Sequence, residues 1–427
     1  MRIAWIGGVS NGGGAGQIGS LTLLNVLKEG VEVDYYKAME DVPTYLLEYK
    51  NLSIIETNSW WRWHKWYSNS SIKAFLSSTF ARIQLCNLIA EKVLDAHLEN
   101  PYDCIFQFSQ SELFRLGKYR NQLPPILIYP GVHAAGELYW HRNESQYALM
   151  VEPMFIHYLV RIYLMYRTWF QCKEMQKPNI IIGMSNRFNK LMEKDYKILP
   201  QRQRLMYHPI QSLSDVSHHY SDRKAENRTQ VNLLFISRMS VRKGLQYIIE
   251  LTHRLIDLEG KISITLIGGP TQWSNYLGHL KDINPKIGHY VNQMNRDELD
   301  EIYANSDALL IPSVYEPGGI VVGEALSHGL CIIASDAIGS AEVLEGEIIR
   351  EFPAGDMDRF EQEVRKLVID LNGDRQSLRN EARHQCEKHF SPDDIAKTLI
   401  AHLQEASEGN SKISSLPQHK KVDYVTQ

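Results

Sequence analysis

The strongest constraint on this chain is a rhythm that runs twice. Short apolar runs bounded by turn or polar residues alternate with helical patterns, from "RIAWIGG" through "VEVDYY", "CIFQFS" (104–109), "ILIYPG" (126–131) and "NIIIGMS" (179–185). Runs this apolar suit strands buried on both faces, and helices between them imply a parallel sheet covered on each side. The rhythm fades in the polar stretch 212–229 and restarts with "VNLLFIS", "ISITLIGG", "HYVNQM", "ALLIPS", "CIIASD" and "GEIIR". A helix is expected from about Ile18 to Glu29, and others at Lys243–Leu258 and Arg296–Ala304. The fold class is therefore α/β, with two similar units in tandem: a first domain over 1–205, a linker over 206–229 and a second domain over 230–385. A late helical region follows over 386–405, and the polar, aperiodic residues 406–427 read as a mobile tail.

Composition narrows the function. With 427 residues, 44% hydrophobic and 22% charged, the chain can bury two ordinary cores. A formal charge of −4 gives no electrostatic reason to expect nucleic acid as a partner. The cysteines (Cys86, Cys104, Cys172, Cys331, Cys386) are scattered, with no Cys-x-x-Cys pair and no zinc spacing. The opening residues lack a signal-peptide pattern, and no run of eighteen apolar residues occurs. The expected location is cytoplasmic.

The stretch "ALLIPSVYEPGGIVVGEALSHG" carries the chemistry. A strand ending at "IPS" should deliver Glu316 to a loop at the carboxyl edge of a parallel sheet, where ligands bind. Gly318 and Gly319 allow close backbone approach, and a helix beginning near Ile320 would aim unpaired N–H groups at an anion such as a diphosphate. Glu324 falls one turn into that helix. Two acids beside a phosphate repel it unless they hold something neutral, and sugar hydroxyls fit. In "FISRMSVRKGLQYI", Arg238 and Lys243 sit at another strand end, suited to neutralising a diphosphate. The alternative is a loop acid, a solvated helix acid and ordinary surface cations.

These motifs together resemble the nucleotide-binding domain of retaining glycosyltransferases with the GT-B fold, the glycosyl transferases group 1 that include bacterial glycogen synthase and sucrose synthase. The match comprises Arg238, Lys243 and Gly244, the strand ending "LIGG" (266–269), "ANSDALLIPSVYEPGG" (304–319), the Glu-x7-Glu pair, and "CIIASDAIGSAEVL" with Gly339 and Glu342. It is strong over about 230–345 and weaker before. The resemblance implies two Rossmann-like domains facing a cleft and a nucleotide-sugar donor. Arg238 and Lys243 would contact the donor diphosphate, Glu316 the transferred sugar and Glu324 the ribose. Backbone N–H groups at Gly319, Ile320 and Val321 would bind sugar or phosphate. It also implies a carbohydrate or lipid-linked acceptor, retention of configuration, no metal or other cofactor, and a late helix packing back on the first domain. Gly318 departs from the pattern, because relatives often carry an aromatic residue there.

The first half holds the rival readings. Gly14-x-Gly16-x-x-Gly19, with Asp34 after the next strand, formally satisfies a dinucleotide fingerprint and would make the chain an NAD(P)-dependent oxidoreductase. Yet Gly14 comes eight residues after the strand, too late for that turn. By resemblance, Gly13 and Gly14 would instead close over the donor phosphates, and His133 in "YPGVHAAGE" would line the active site. A non-catalytic carbohydrate-binding protein is the other alternative. The segment "SWWRWHKWYSNSS" (59–71) mixes aromatics with cations, which suits peripheral membrane contact, a sugar face or core packing. The segment "FIHYLVRIYLMYRTWF" (155–170) carries a similar ambiguity, is short for spanning a membrane and reads first as a packed helix.

Overall fold

A computed structural model describes residues 1–10, 14–37, 41–57, 72–109, 115–211, 229–270 and 275–413. Gly13, the Trp-rich segment 59–71 and most of the expected linker lie outside the described residues.

The first domain is built on seven parallel strands: β1 Arg2–Ile6, β2 Glu32–Lys37, β3 Leu52–Glu56, β4 Cys104–Ser109, β5 Ile126–Pro130, β6 Ile180–Gly183 and β7 Gln203–Leu205. Their order is β3-β2-β1-β4-β5-β6-β7. The second holds β8 Val231–Ile236, β9 Ile262–Ile267, β10 Gly288–Val291, β11 Ala308–Ile311, β12 Cys331–Ser335 and β13 Ile349–Phe352, ordered β10-β9-β8-β11-β12-β13. Both orders reverse beside the first strand of the set, between β1 and β4 and between β8 and β11. Such reversals leave a crevice at the carboxyl edge. The central strands β5, β6, β11 and β12 are buried at every residue, as their unbroken apolar runs require. Edge strands β3 and β7 are half-buried and were not anticipated.

The helices that matter are α1 Gly14–Lys28, α2 Ile72–Glu99, α3 Ala134–Asn143, α4 Met154–Glu174, α5 Asn186–Tyr196, α6 Leu245–Arg254, α7 Arg296–Ala304, α8 Ile320–Ser327, α9 Met357–Phe390 (broken at Asp374) and α10 Pro392–Ile413. The first begins four residues before Ile18. The span expected as one helix over Lys243–Leu258 is α6 flanked by 3-10 turns at Val241–Lys243 and Ile256–Leu258. Residues 206–211 are not linker-like: Met206 and Ile210 are buried, and Met206 N–H donates to the Gly183 carbonyl at 2.9 Å.

The chain crosses between domains twice, and the crossings run side by side. Ile210 N–H donates to Phe390 O at 2.8 Å, and the Tyr207 ring lies edge-on to Phe390 at 6.1 Å. After Ser391, α10 returns to the first domain, where Ile395, Leu399 and Leu403 form a stripe at four-residue spacing within its core. The late helix therefore spans 392–413 rather than 386–405. Residues 386–390 finish α9 in the second core, and the tail expected from 406 is helical to Ile413, with Ala406 buried. Removing the Leu399 side chain should open a cavity costing about 3 kcal/mol. A lower urea midpoint for Leu399→Ala, with the unfolding slope unchanged, is the expected result.

Candidate active site at the domain cleft

Beyond β8, the Ser240 hydroxyl accepts from Lys243 N–H at 3.3 Å and closes the 3-10 turn Val241–Lys243. That turn projects two cations toward the loop after β11, whose Val314 N–H donates to the Arg242 carbonyl at 3.0 Å. Lys243 Nζ donates to Glu316 Oε2 in a mostly buried ion pair. Arg242 Nη1 lies 3.5 Å from Glu316 and 3.6 Å from Glu137 on α3, and donates to the Tyr315 carbonyl at 3.2 Å. Burial alone would raise the Glu316 pKa, but Lys243 and Arg242 outweigh it and hold the carboxyl at about 2. Burial likewise pulls the Lys243 ammonium down, with Glu316 opposing it.

Arg242 was not anticipated. Its place beside Lys243 in "VRKG" was the available signal, because one tight turn delivers both side chains. Arg238 is exposed at the rim, makes no ion pair among the described residues, and adds to the positive field on Lys243.

The loop 315–319 is tied down through its carbonyls. Glu316 O accepts from Gly339 N–H at 2.9 Å, Gly318 O from Ser340 N–H at 2.8 Å, and Gly319 O from the Ser340 hydroxyl at 2.9 Å. Pro317 O accepts from the Ser185 hydroxyl of the first domain at 2.9 Å. The N–H groups of Gly319, Ile320 and Val321 have no acceptor among the described residues, so the α8 end presents the anion-binding geometry expected of it. Gly319 adopts φ 104°. At Gly318 an added Cβ would lie 2.4 Å from His208 Cε1 and 3.0 Å from Met184 Sδ, so no aromatic side chain fits there. Gly14 faces Ile320, whose Cγ2 would meet a Cβ at 3.4 Å. The amino ends of α1 and α8 thus meet in one cleft, and their dipoles add to the cations.

Other expected residues are placed less simply. Glu324 is held by Arg296 Nη1 at 2.6 Å and Tyr303 OH at 3.3 Å, which orient its carboxylate but also occupy it. His133 is fully buried and does not line open space. Its Nδ1 bonds Tyr315 OH at 3.0 Å, its Nε2 lies 3.2 Å from Asp195, and Phe188 and Tyr196 rings pack edge-on. It joins the domains instead. Glu342, from the "IGSAEV" motif, caps α5 of the opposite domain, accepting from Arg187 N–H at 2.8 Å, while Tyr207 OH donates to it at 2.7 Å. His208, also unanticipated, is pushed down to about 4 by burial, against the pull of Glu316.

The dinucleotide fingerprint is spent on packing. Gly14, Gly16 and Gly19 all lie within α1 rather than in the turn before it, with Gly19 pressed on the Gly8 carbonyl. Asp34, which would hold a ribose, is bonded by Arg2 Nη2 at 2.5 Å and Tyr102 OH at 2.6 Å. Among the described residues, His141, Glu152 and His157 lie close enough to share a cation. But His157 already bonds Glu152 at 2.9 Å and Arg161 at 3.1 Å, and the guanidinium would repel a metal.

Residues 218–385 match the family model described as glycosyl transferases group 1. An uncharacterized glycosyltransferase of Methanocaldococcus jannaschii is 28% identical over 171 residues, 39% of this chain and 43% of the relative, so the match spans less than half of that protein. Among solved structures, sucrose-phosphate synthase from Thermosynechococcus elongatus superposes with TM-score 0.65 at 15% identity, covering 95% of this chain and 98% of the other. An E. coli trehalose-6-phosphate structure bound with UDP-2-fluoro glucose gives 0.63 at 14%, covering 95% and 99%. The architecture is the GT-B fold.

The Glu316 clamp has a pH signature. Its folded pKa lies below the ordinary 4.5, so it stabilises the fold above about pH 4.5 and the contribution drains away as pH falls toward about 2. The wild-type urea midpoint should fall more steeply than that of Glu316→Gln between pH 5 and about pH 3.

Proposed function

With residues 218–385 a glycosyl transferases group 1 domain in a GT-B chain, we propose that the protein moves a sugar from a nucleotide-sugar donor to an acceptor hydroxyl with retained configuration. The observation that carries this is a cleft where Arg242, Lys243, Arg238 and two helix ends come together around Glu316, with Glu137 on the far side of Arg242. A diphosphate placed against the α8 N–H groups meets that concentration of positive charge. As the sugar–phosphate bond breaks, negative charge grows on the departing oxygen, and pre-positioned donors stabilise it without reorganising.

Glu316 has two roles in this scheme. Without donor it neutralises Lys243; with donor, Lys243 is shared with phosphate and the acid turns to the hydroxyls of the transferred sugar. Glu324, steadied by Arg296 and Tyr303, takes the ribose hydroxyls with its remaining acceptor capacity. His133 acts as a positioning residue that holds Tyr315, and so the Glu316 loop, against the first domain. No step in the scheme is assigned to a metal. The acceptor is a carbohydrate or lipid-linked glycan, the setting glycan or glycolipid biosynthesis in the cytoplasm, and peripheral membrane contact through 59–71 is part of the proposal.

The nicotinamide reading is disfavoured by Asp34, whose carboxylate is already committed to Arg2 and Tyr102. A carbohydrate-binding module without catalysis would not need a cationic cluster at a helix end.

Thermal shift against UDP, GDP, ADP, their hexose conjugates and NAD(P) tests the scheme. One nucleoside diphosphate should raise the melting temperature, by the linkage of native-state binding to stability, and Lys243→Ala should abolish the rise. Stabilisation by NAD or NADP alone would overturn the assignment. For catalysis, Lys243→Ala and Arg242→Ala should each slow transfer about a hundredfold. Glu316→Gln should lose transfer yet keep nucleoside diphosphate binding, because it removes the acid that competes with phosphate for Lys243. Carbon-13 spectra of the product would report the anomeric configuration.

A further inference from the structure

Helix α4 is inside out for a water-soluble surface. Its inward side is polar: His157, Gln171 and Glu174 are buried, with Arg161 and Thr168 between them. These residues are held by hydrogen bonds. Gln171 Nε2 donates to Val132 O at 2.7 Å, Gln171 Oε1 accepts from Ala134 N–H at 2.7 Å and Tyr196 OH at 2.6 Å, and Arg161 Nη2 donates to the Ser145 hydroxyl at 2.7 Å. The outward side is apolar. Phe155 is 69% exposed, Ile162 64%, Tyr166 57% and Trp169 54%. Ten of the twenty exposed large hydrophobic side chains among the described residues lie on this one helix.

The pattern reverses what water selects. A surface helix normally turns its apolar stripe to the core, and scattered single hydrophobics need no explanation, but a continuous exposed face marks an interaction surface. The helix over 155–170 is packed, as read from the sequence, but through its polar residues.

Charge decides the occupant. Lys173 Nζ sits 3.8 Å over the Trp169 ring and the Arg167 guanidinium 5.9 Å over Tyr163. The helix has one acid, Glu174, and it is buried. An apolar face with interfacial aromatics and cations stacked on them matches the boundary between acyl chains and anionic headgroups. A second copy fits worse, because a two-fold interface would set these cations against their own images. No helix among the described residues is long and apolar enough to cross a membrane, and at 21 residues, about 31 Å, α4 can lie in the interface plane.

We propose that α4 is a membrane-docking helix that seats the first domain on an anionic lipid surface through its outward face. The inference does not depend on the donor chemistry. It rests on the inverted polarity of the helix.

The test is flotation of the full chain with phosphatidylcholine vesicles, with and without about one third phosphatidylglycerol, at low salt. Wild type should float with the anionic vesicles. Ile162→Glu combined with Trp169→Glu should reduce partitioning at least about tenfold, and Arg167→Gln with Lys173→Gln about twenty-five-fold, near fivefold per cation. Both variants keep residues 59–71, so a loss reports on α4 alone, and melting temperature and nucleoside diphosphate binding should stay at wild-type values. Wild-type flotation by the Ile162/Trp169 variant would overturn the proposal. So would light scattering that shows a wild-type dimer made monomeric by that variant, with no vesicle binding by either protein. Because donor binding is measured on the same samples, failure of the transferase assignment would show separately.

Discussion

The cleft depends on where four backbone carbonyls point. Residues 316–319 give their oxygens to donors behind them, from Gly339, Ser340 and, across the domain boundary, Ser185. A peptide unit whose oxygen is fixed has its neighbouring N–H fixed as well, so anchoring the acceptors is what aims the donors of α8 into open space. The glycines are permissive for this arrangement; the hydrogen bonds enforce it. Clamping Glu316 with Lys243 and Arg242 then follows, since the carboxylate is delivered by the same loop.

That loop is shared property. Tyr315 is bonded by His133 and Pro317 by Ser185, both from the first domain, while Glu342 of the second domain caps α5 of the first. The site's geometry and the closure of the two domains are therefore one structural event. This accounts for a buried histidine where one lining the active site was expected: the ring serves the interface, and through it the acid.

What the sequence made legible follows burial. Strands with continuous apolar runs, such as "ALLI" and "CIIAS", were readable because both faces are covered. The edge strands "LSIIE" and "QRL" were not, because a strand paired on one side and half-covered needs no such run. The acid pair, Lys243 and the α8 amino end could be read because their spacing within one turn or loop carries the chemistry. The environment of His133 could not, since its partner Tyr315 is 182 residues away. In α4 the signal was present but inverted: the four-residue repeat of His157, Arg161 and, later, Gln171 marks the buried side, and apolar periodicity alone points the wrong way.

The two side-by-side crossings, at Ile210 and Phe390, have a mechanical meaning. A domain held by one tether can drift and twist in any direction, whereas two tethers fastened together behave as a single hinge pin. Rotation about that pin needs backbone torsions to change only near the crossing. Sliding one domain past the other would tear the Ile210–Phe390 bond and drag α10 out of the first core. Of the movements open to two domains joined in this way, rotation about that pin is the one that spares both packed cores.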